Sequence, residues 1–153
     1  MEIIVKDLEQ TKKLSQLLGY KLDEGCIITL AGDLGAGKTT FTQGLAKAIG
    51  IQGVVSSPTF TILKEYSGNY NLAHFDAYRL EGSDEDLGFE EIFERGDICV
   101  IEWANFIADI IPENRLEITI LKLDENARKF IFNPIGEKYQ KICEEIKNDN
   151  INS

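Results

Sequence analysis

The chain has one histidine, one tryptophan, one methionine and three prolines in 153 residues. These shortages exclude several classes of protein. His74 is the sole histidine, and Cys26, Cys99 and Cys143 are scattered. No close cysteine pair exists to build a zinc site. Three spread cysteines, two in apparent strands, read as buried free thiols in a reducing cytoplasm. No apolar run approaches the ~20 residues that a bilayer span requires. The start, Met1-Glu2-Ile3-Ile4-Val5-Lys6-Asp7, lacks the charged and apolar regions of a signal peptide, so the cytoplasm is expected. Positive charge is short too: 16 Lys and Arg face 26 Asp and Glu, a net charge of −10. Broad adhesion to nucleic acid wants the opposite sign. The excess reads as solubility, and any RNA-linked role is expected to run through a partner.

Hydrophobic and charged contents are ordinary for a folded protein. The length predicts a single domain over 1–153 with a sizeable core and a frayed tail over 148–153.

Its organising stretch is Gly32-Asp33-Leu34-Gly35-Ala36-Gly37-Lys38-Thr39-Thr40, which fits G-x-x-x-x-G-K-[ST], the phosphate-binding loop. Glycines admit backbone conformations barred to other residues and let the chain approach an anion closely. The loop amides form a nest for phosphate oxygens. Lys38 brings charge to the β- and γ-phosphates, and the Thr39 hydroxyl suits Mg²⁺. Context supports the motif. Cys26 to Ala31 is an apolar, partly β-branched run that reads as a buried strand. After the loop, Phe41, Leu45, Ala48 and Ile49 share one helical face, and Gly50 suits the stop. The alternative is a glycine turn with a chance Lys-Thr.

Around this unit the pattern alternates. Ile3 to Val5 suggests a strand. Asp7 with Gln10 resembles a capping box for a helix carrying Leu14, Leu17 and Leu18 and ending at Gly19. Ile51 to Thr59 reads as loop. Phe60–Tyr66 and Tyr70–Phe75 read as an antiparallel hairpin about Ser67-Gly68-Asn69. Ser83 offers an N-cap to a helix bearing Phe89, Ile92 and Phe93 and closing at Gly96. Ile98 to Ile101 is a buried strand. Ala104 to Ile111 reads as a short helix stopped by Pro112. Residues 115–123 and 128–133 alternate as an edge hairpin. Glu137 to Lys147 is an amphipathic helix with Tyr139, Ile142, Cys143 and Ile146 inward. The expected fold is an α/β three-layer sandwich: a mainly parallel central sheet, antiparallel edge strands, and helices on both faces.

A phosphate loop needs an acidic residue at the ligand-facing end of a neighbouring strand. Asp97 and Glu102 flank one strand, and five residues at about 3.3 Å each set them roughly 16 Å apart. Ligands sit beyond the carboxyl ends of such strands, which favours Glu102. His74 and Asp76 share a face. Asp76 could orient water or act as base, whereas His74 is either a site residue or a core histidine held by a hydrogen bond. Arg79 could neutralise phosphate charge or pair with Glu81. Ser57-Pro58-Thr59-Phe60 is either a γ-phosphate-sensing loop, with the Thr59 hydroxyl reaching phosphate or metal, or a proline turn entering a strand. Trp103 is expected to pack in the core by default.

The phosphate loop, Ser57-Pro58-Thr59-Phe60, His74-Phe75-Asp76-Ala77-Tyr78-Arg79-Leu80 and Glu102-Trp103, in this order and a chain this short, resemble the TsaE (YjeE) family. That bacterial ATPase family is required for threonylcarbamoyladenosine in tRNA. The likeness runs over about three-quarters of the chain. It implies that ATP and Mg²⁺ are the cofactors. It implies that Thr39 and Glu102 hold the metal, that Gly35, Ala36, Gly37, Lys38, Thr39 and Thr40 hold the phosphates, and that Asp76 supports hydrolysis. It implies that Asn105 and Arg128 touch nucleotide and that Leu8 and Thr11 approach the base. The implied partners are TsaD and TsaB, whose assembly the ATPase resets, with tRNA met only through that complex. Two alternatives remain: a small-molecule kinase, against which sparse arginines argue, and a non-enzymatic nucleotide-dependent module.

Overall fold

The computed structural model describes residues 1–33, 35–53, 55, 63–77 and 88–149. The first strand, β1 (Glu2–Val5), leads into α1 (Leu8–Gly19). Asp7 accepts the Gln10 amide at 2.9 Å, and Gln10 reaches back to the Lys6 amide at 2.7 Å. Asp7 thus caps the Gln10 amide as in the usual box, while the return bond lands one residue earlier, on Lys6. Next come β2 (Ile27–Ala31), α2 (Lys38–Ala48), β3 (Leu63–Tyr66) and β4 (Leu72–Asp76). They are followed by α3 (Phe89–Glu94), β5 (Ile98–Glu102), a 3₁₀ turn over Ala104–Ile107, β6 (Arg115–Lys122), β7 (Arg128–Ile135) and α4 (Glu137–Asn148).

Seven strands make one sheet in the order β1-β7-β6-β2-β5-β4-β3. The centre is parallel: β2 pairs with β6 and β5, and β5 with β4. Antiparallel pairings, β3 on β4 and β7 on β6 with β1 beyond, finish the two sides. The period-2 alternation of the strands sends side chains to two faces. On one face Ile28, Leu30, Val100 and Ile118 meet Leu14 and Leu18 of α1, Phe41 and Leu45 of α2, and Tyr139 and Ile142 of α4. On the other, Ala73, Phe75, Cys99 and Ile101 lie under Phe89 and Ile92 of α3 and under Ile107. The expected mixed sandwich is thus the observed fold.

Three details differ from expectation. The β6–β7 hairpin forms but is not an edge, because β1 adds beside β7. The short helix expected over Ala104 to Ile111 is a single 3₁₀ turn that stops at Ile107. α3 starts at Phe89 behind Gly88, whose φ is +75°; the cap expected at Ser83 lies outside the described residues. Among the described residues, no helix is long and apolar enough to cross a membrane.

Candidate functional site

The site lies beyond the carboxyl ends of the parallel strands. β2 stops at Ala31, and α2 begins at Lys38. Gly37 is the N-cap at φ +108°, with no side-chain cap bond. The first amides of the helix, which have no intrahelical partner, are therefore left for an anion at the positive dipole end. A Cβ on Gly35 or Gly37 would meet nothing within 4 Å, and both have positive φ. Backbone conformation and open access fix these two glycines. Gly32 is different: a Cβ there would lie 2.8 Å from the Ile120 carbonyl oxygen. Close strand packing demands that glycine.

Lys38 donates from Nζ to the Gly32 carbonyl at 2.8 Å, and the same Nζ lies 3.6 Å from Glu102 Oε1. Glu102 ends β5 and is only 4% exposed. Its other oxygen, Oε2, is 2.7 Å from His74 Nε2. Register explains the meeting, since Asp76 is paired with Glu102 and His74 with Val100 on the parallel neighbour. His74, Asp76 and Glu102 thus project from one face of adjacent strands. Asp97 sits at the opposite end of β5, buried and bonded to Arg95. The strand-end argument that favoured Glu102 agrees with this placement.

Trp103 overturns its expected core packing. It is 42% exposed, and its φ of 59° makes it the one non-glycine residue at positive φ among those described. The turn brings its ring over Lys38, with Nζ 5.5 Å from the ring centroid, and against Phe106. Backbone strain of this kind concentrates at functional sites.

Two pockets flank the loop. One, of about 250 Å³, is walled by Leu8 and Thr11 from α1, by Gly35, Ala36, Gly37 and Thr40, and by Glu125, Asn126 and Arg128. Residues from the first helix and the last hairpin therefore converge on the loop. The other, of about 330 Å³, lies across Lys38 and contains Trp103, Asn105, Glu117 and Thr119. Asn105 is consequently parted from Arg128 and Leu8. Arg128 spends its donors on the protein: Nε bonds the Ala36 carbonyl at 2.9 Å, and Nη1 bonds those of Asp124 and Ala127. No sequence signal marks Glu125 or Asn126 as pocket residues, because the turn that carries them acquires its place only through sheet order. Leu34, the Ser57-Pro58-Thr59-Phe60 stretch, and Tyr78, Arg79, Leu80 and Glu81 lie outside the described residues.

The donor set suits Mg²⁺. That ion keeps several waters and takes one or two carboxylates plus phosphate oxygens, not an all-protein cage. Among the described residues, no group of three or more His, Cys, Asp or Glu side chains comes together. Glu102 beside Lys38 and Thr39, the residue after it, could supply a carboxylate and a hydroxyl to such an ion.

Known proteins resemble this chain closely. The model of the family described as "Threonylcarbamoyl adenosine biosynthesis protein TsaE" matches residues 5–130. A Bacillus subtilis protein named "tRNA threonylcarbamoyladenosine biosynthesis protein TsaE" is 44% identical over 147 residues, covering 95% of this chain and 93% of the relative. A Treponema pallidum protein of the same name is 37% identical over 131 residues, 84% of this chain and 97% of the relative. The crystal structure of Bacillus subtilis YdiB superposes with a TM-score of 0.83 at 36% identity, over 96% of this chain and 93% of that one.

Proposed function

We infer this chain's activity from its kinship: it belongs to the TsaE family, and so to tRNA threonylcarbamoyladenosine biosynthesis. Within that process it acts as a Mg²⁺-dependent ATP hydrolase that serves the TsaD–TsaB assembly in the cytoplasm. The observation that carries this reading is the place of Lys38, between an open phosphate loop and the buried carboxylate of Glu102. A lysine held there is poised to exchange a carboxylate for phosphate oxygens.

The loop amides, Lys38 and Thr40 bind the phosphates, and Leu8 and Thr11 border the base. Arg128 holds the loop in shape and borders the same pocket as Leu8 and Thr11, where it meets the nucleotide. Thr39 and Glu102 hold Mg²⁺, which when bound offsets charge on the β- and γ-phosphates. Asp76, beside Glu102 in register, orients the attacking water or takes its proton. Hydrolysis depends on placing groups around the transferred phosphoryl, and a missing positive group can cost about 10³–10⁵ in rate. A partner that completes the site therefore raises turnover. The net charge of −10 fits a protein that meets tRNA only through that partner.

ATP turnover is to be measured for the chain alone, with TsaD and TsaB, and with small metabolites. Slow turnover alone that rises with the two proteins is expected. Full activity alone, or stimulation only by a metabolite that becomes phosphorylated, would replace this reading with the kinase.

A further inference from the structure

His74 is fully buried in β4. One ring nitrogen, Nε2, lies 2.7 Å from Glu102 Oε2, while Nδ1 has no hydrogen-bond partner among the described residues. A carboxylate oxygen only accepts, so Nε2 carries the proton in this contact. An unpartnered buried polar atom costs about 1–3 kcal/mol. A residue serving the core alone would avoid that cost, because an apolar side chain fills the space without it. Among the described residues, the one hydrogen bond the ring makes is to Glu102.

That bond determines how Glu102 presents itself. The terminal torsion of a glutamate is broad and roughly two-fold, so a lone carboxylate swivels. Lys38 holds Oε1 only at ion-pair distance, 3.6 Å, while bonded to Gly32. When phosphates arrive, its charge is drawn to them. Among the described residues, the contact that remains is His74.

We propose that His74 is a positioning residue: by holding Glu102 Oε2 it presents Oε1 to the metal at the phosphate loop. The inference rests on the reading of Glu102 as a metal carboxylate. Partners of this kind orient a ligand without touching the metal, and their loss typically weakens metal binding about 10–100-fold.

The test is the Mg²⁺ concentration needed to tighten binding of a fluorescent, non-hydrolysable ATP analogue, read against binding in chelator. His74→Gln sets an amide nitrogen near the place of Nε2, whereas His74→Asn is too short to reach Oε2, and His74→Leu fills the volume without a donor. The Mg²⁺ midpoint is expected to rise about 10–100-fold in the Asn and Leu variants and to stay within about threefold of the parent in the Gln variant. Metal-free affinity holds throughout, and in a Glu102→Gln background the His74 changes add nothing. A Glu102→Gln shift without a shift in the Asn and Leu variants would overturn the inference alone. Equal losses in all three His74 variants, with weaker metal-free binding, would make the ring a support of the fold and overturn it too. A midpoint unmoved by Glu102→Gln would remove the metal reading of Glu102, and the inference with it.

Discussion

Arg128 donates from Nε to the carbonyl oxygen of Ala36 at 2.9 Å, across 92 positions of sequence. The same guanidinium holds Asp124 and Ala127, so it ties the phosphate loop to the turn between β6 and β7. Hydrogen bonds to a charged group are worth about 1.5–3 kcal/mol. Arg128→Ala should loosen the loop and weaken ATP binding by roughly tenfold or more. Arg128→Lys should not restore it, because a single ammonium cannot reproduce the planar fork. Titration calorimetry reads both, and lysine rescue would show that charge alone matters.

Lys38→Ala should abolish measurable ATP binding. It should also lower stability modestly, by about 1 kcal/mol, because the native lysine bonds Gly32 and faces the buried Glu102. Affinity measurements with a thermal melt check both parts. Unchanged affinity in a folded variant would remove Lys38 from the site.

Leu8 is 54% exposed and walls the smaller pocket. If a base covers it, truncation forfeits about 1 kcal/mol of apolar burial. Leu8→Ala should therefore raise the Kd for ATP roughly three- to tenfold while sparing affinity for inorganic triphosphate. Equal losses for both ligands would place the base elsewhere.

The core unit was legible because the phosphate-loop spacing, the apolar strand before it and the helical stripe after it agree. Glu102 was legible as well, since strand direction alone separates it from Asp97. Other features depend on what crosses the sheet. The bond between His74 and Glu102 requires β4 and β5 to be parallel neighbours, and sequence parity put His74 and Asp76 on one face without saying what faced them. The bond from Arg128 to Ala36 had no sequence signal, because its carbonyl partner lies in a distant loop. Trp103 looked like core because a left-handed tryptophan has no sequence signal. The hairpin looked like an edge because β1, which covers it, is four residues long.

The α1–α2 contact gives a stability test. A Cβ on Gly44 would fall 1.7 Å from Ser15 Oγ and 2.7 Å from Ser15 Cβ. Gly44→Ala should destabilise the protein by about 1–3 kcal/mol through overpacking, and Ser15→Gly should recover part of the loss. Denaturant unfolding checks this; an additive double variant would show that the helices do not meet there.

Burial pushes the Cys99 thiol up to about 12 and raises those of Cys26 and Cys143. Only the thiolate attacks, so raised values mean protonated, unreactive sulfur at pH 8. An aromatic disulfide reagent should find no fast thiol in the folded protein and all three cysteines after denaturation. Modification faster than unfolding would expose a sulfur that packing should hide.

β1 pairs with β7, Glu2 opposite Ile131, and α1 follows β1 directly. β1 therefore cannot dock on the sheet until β7, more than a hundred residues later, is in place. Such a distant pairing is slow to close. Glu125, Asn126 and Arg128 arrive with the β6–β7 hairpin, so a chain with a formed phosphate loop lacks one wall of the adjoining pocket until β7 is in place. A complete wall around that pocket is then gained only with the hairpin, and it should be lost first when the hairpin frays.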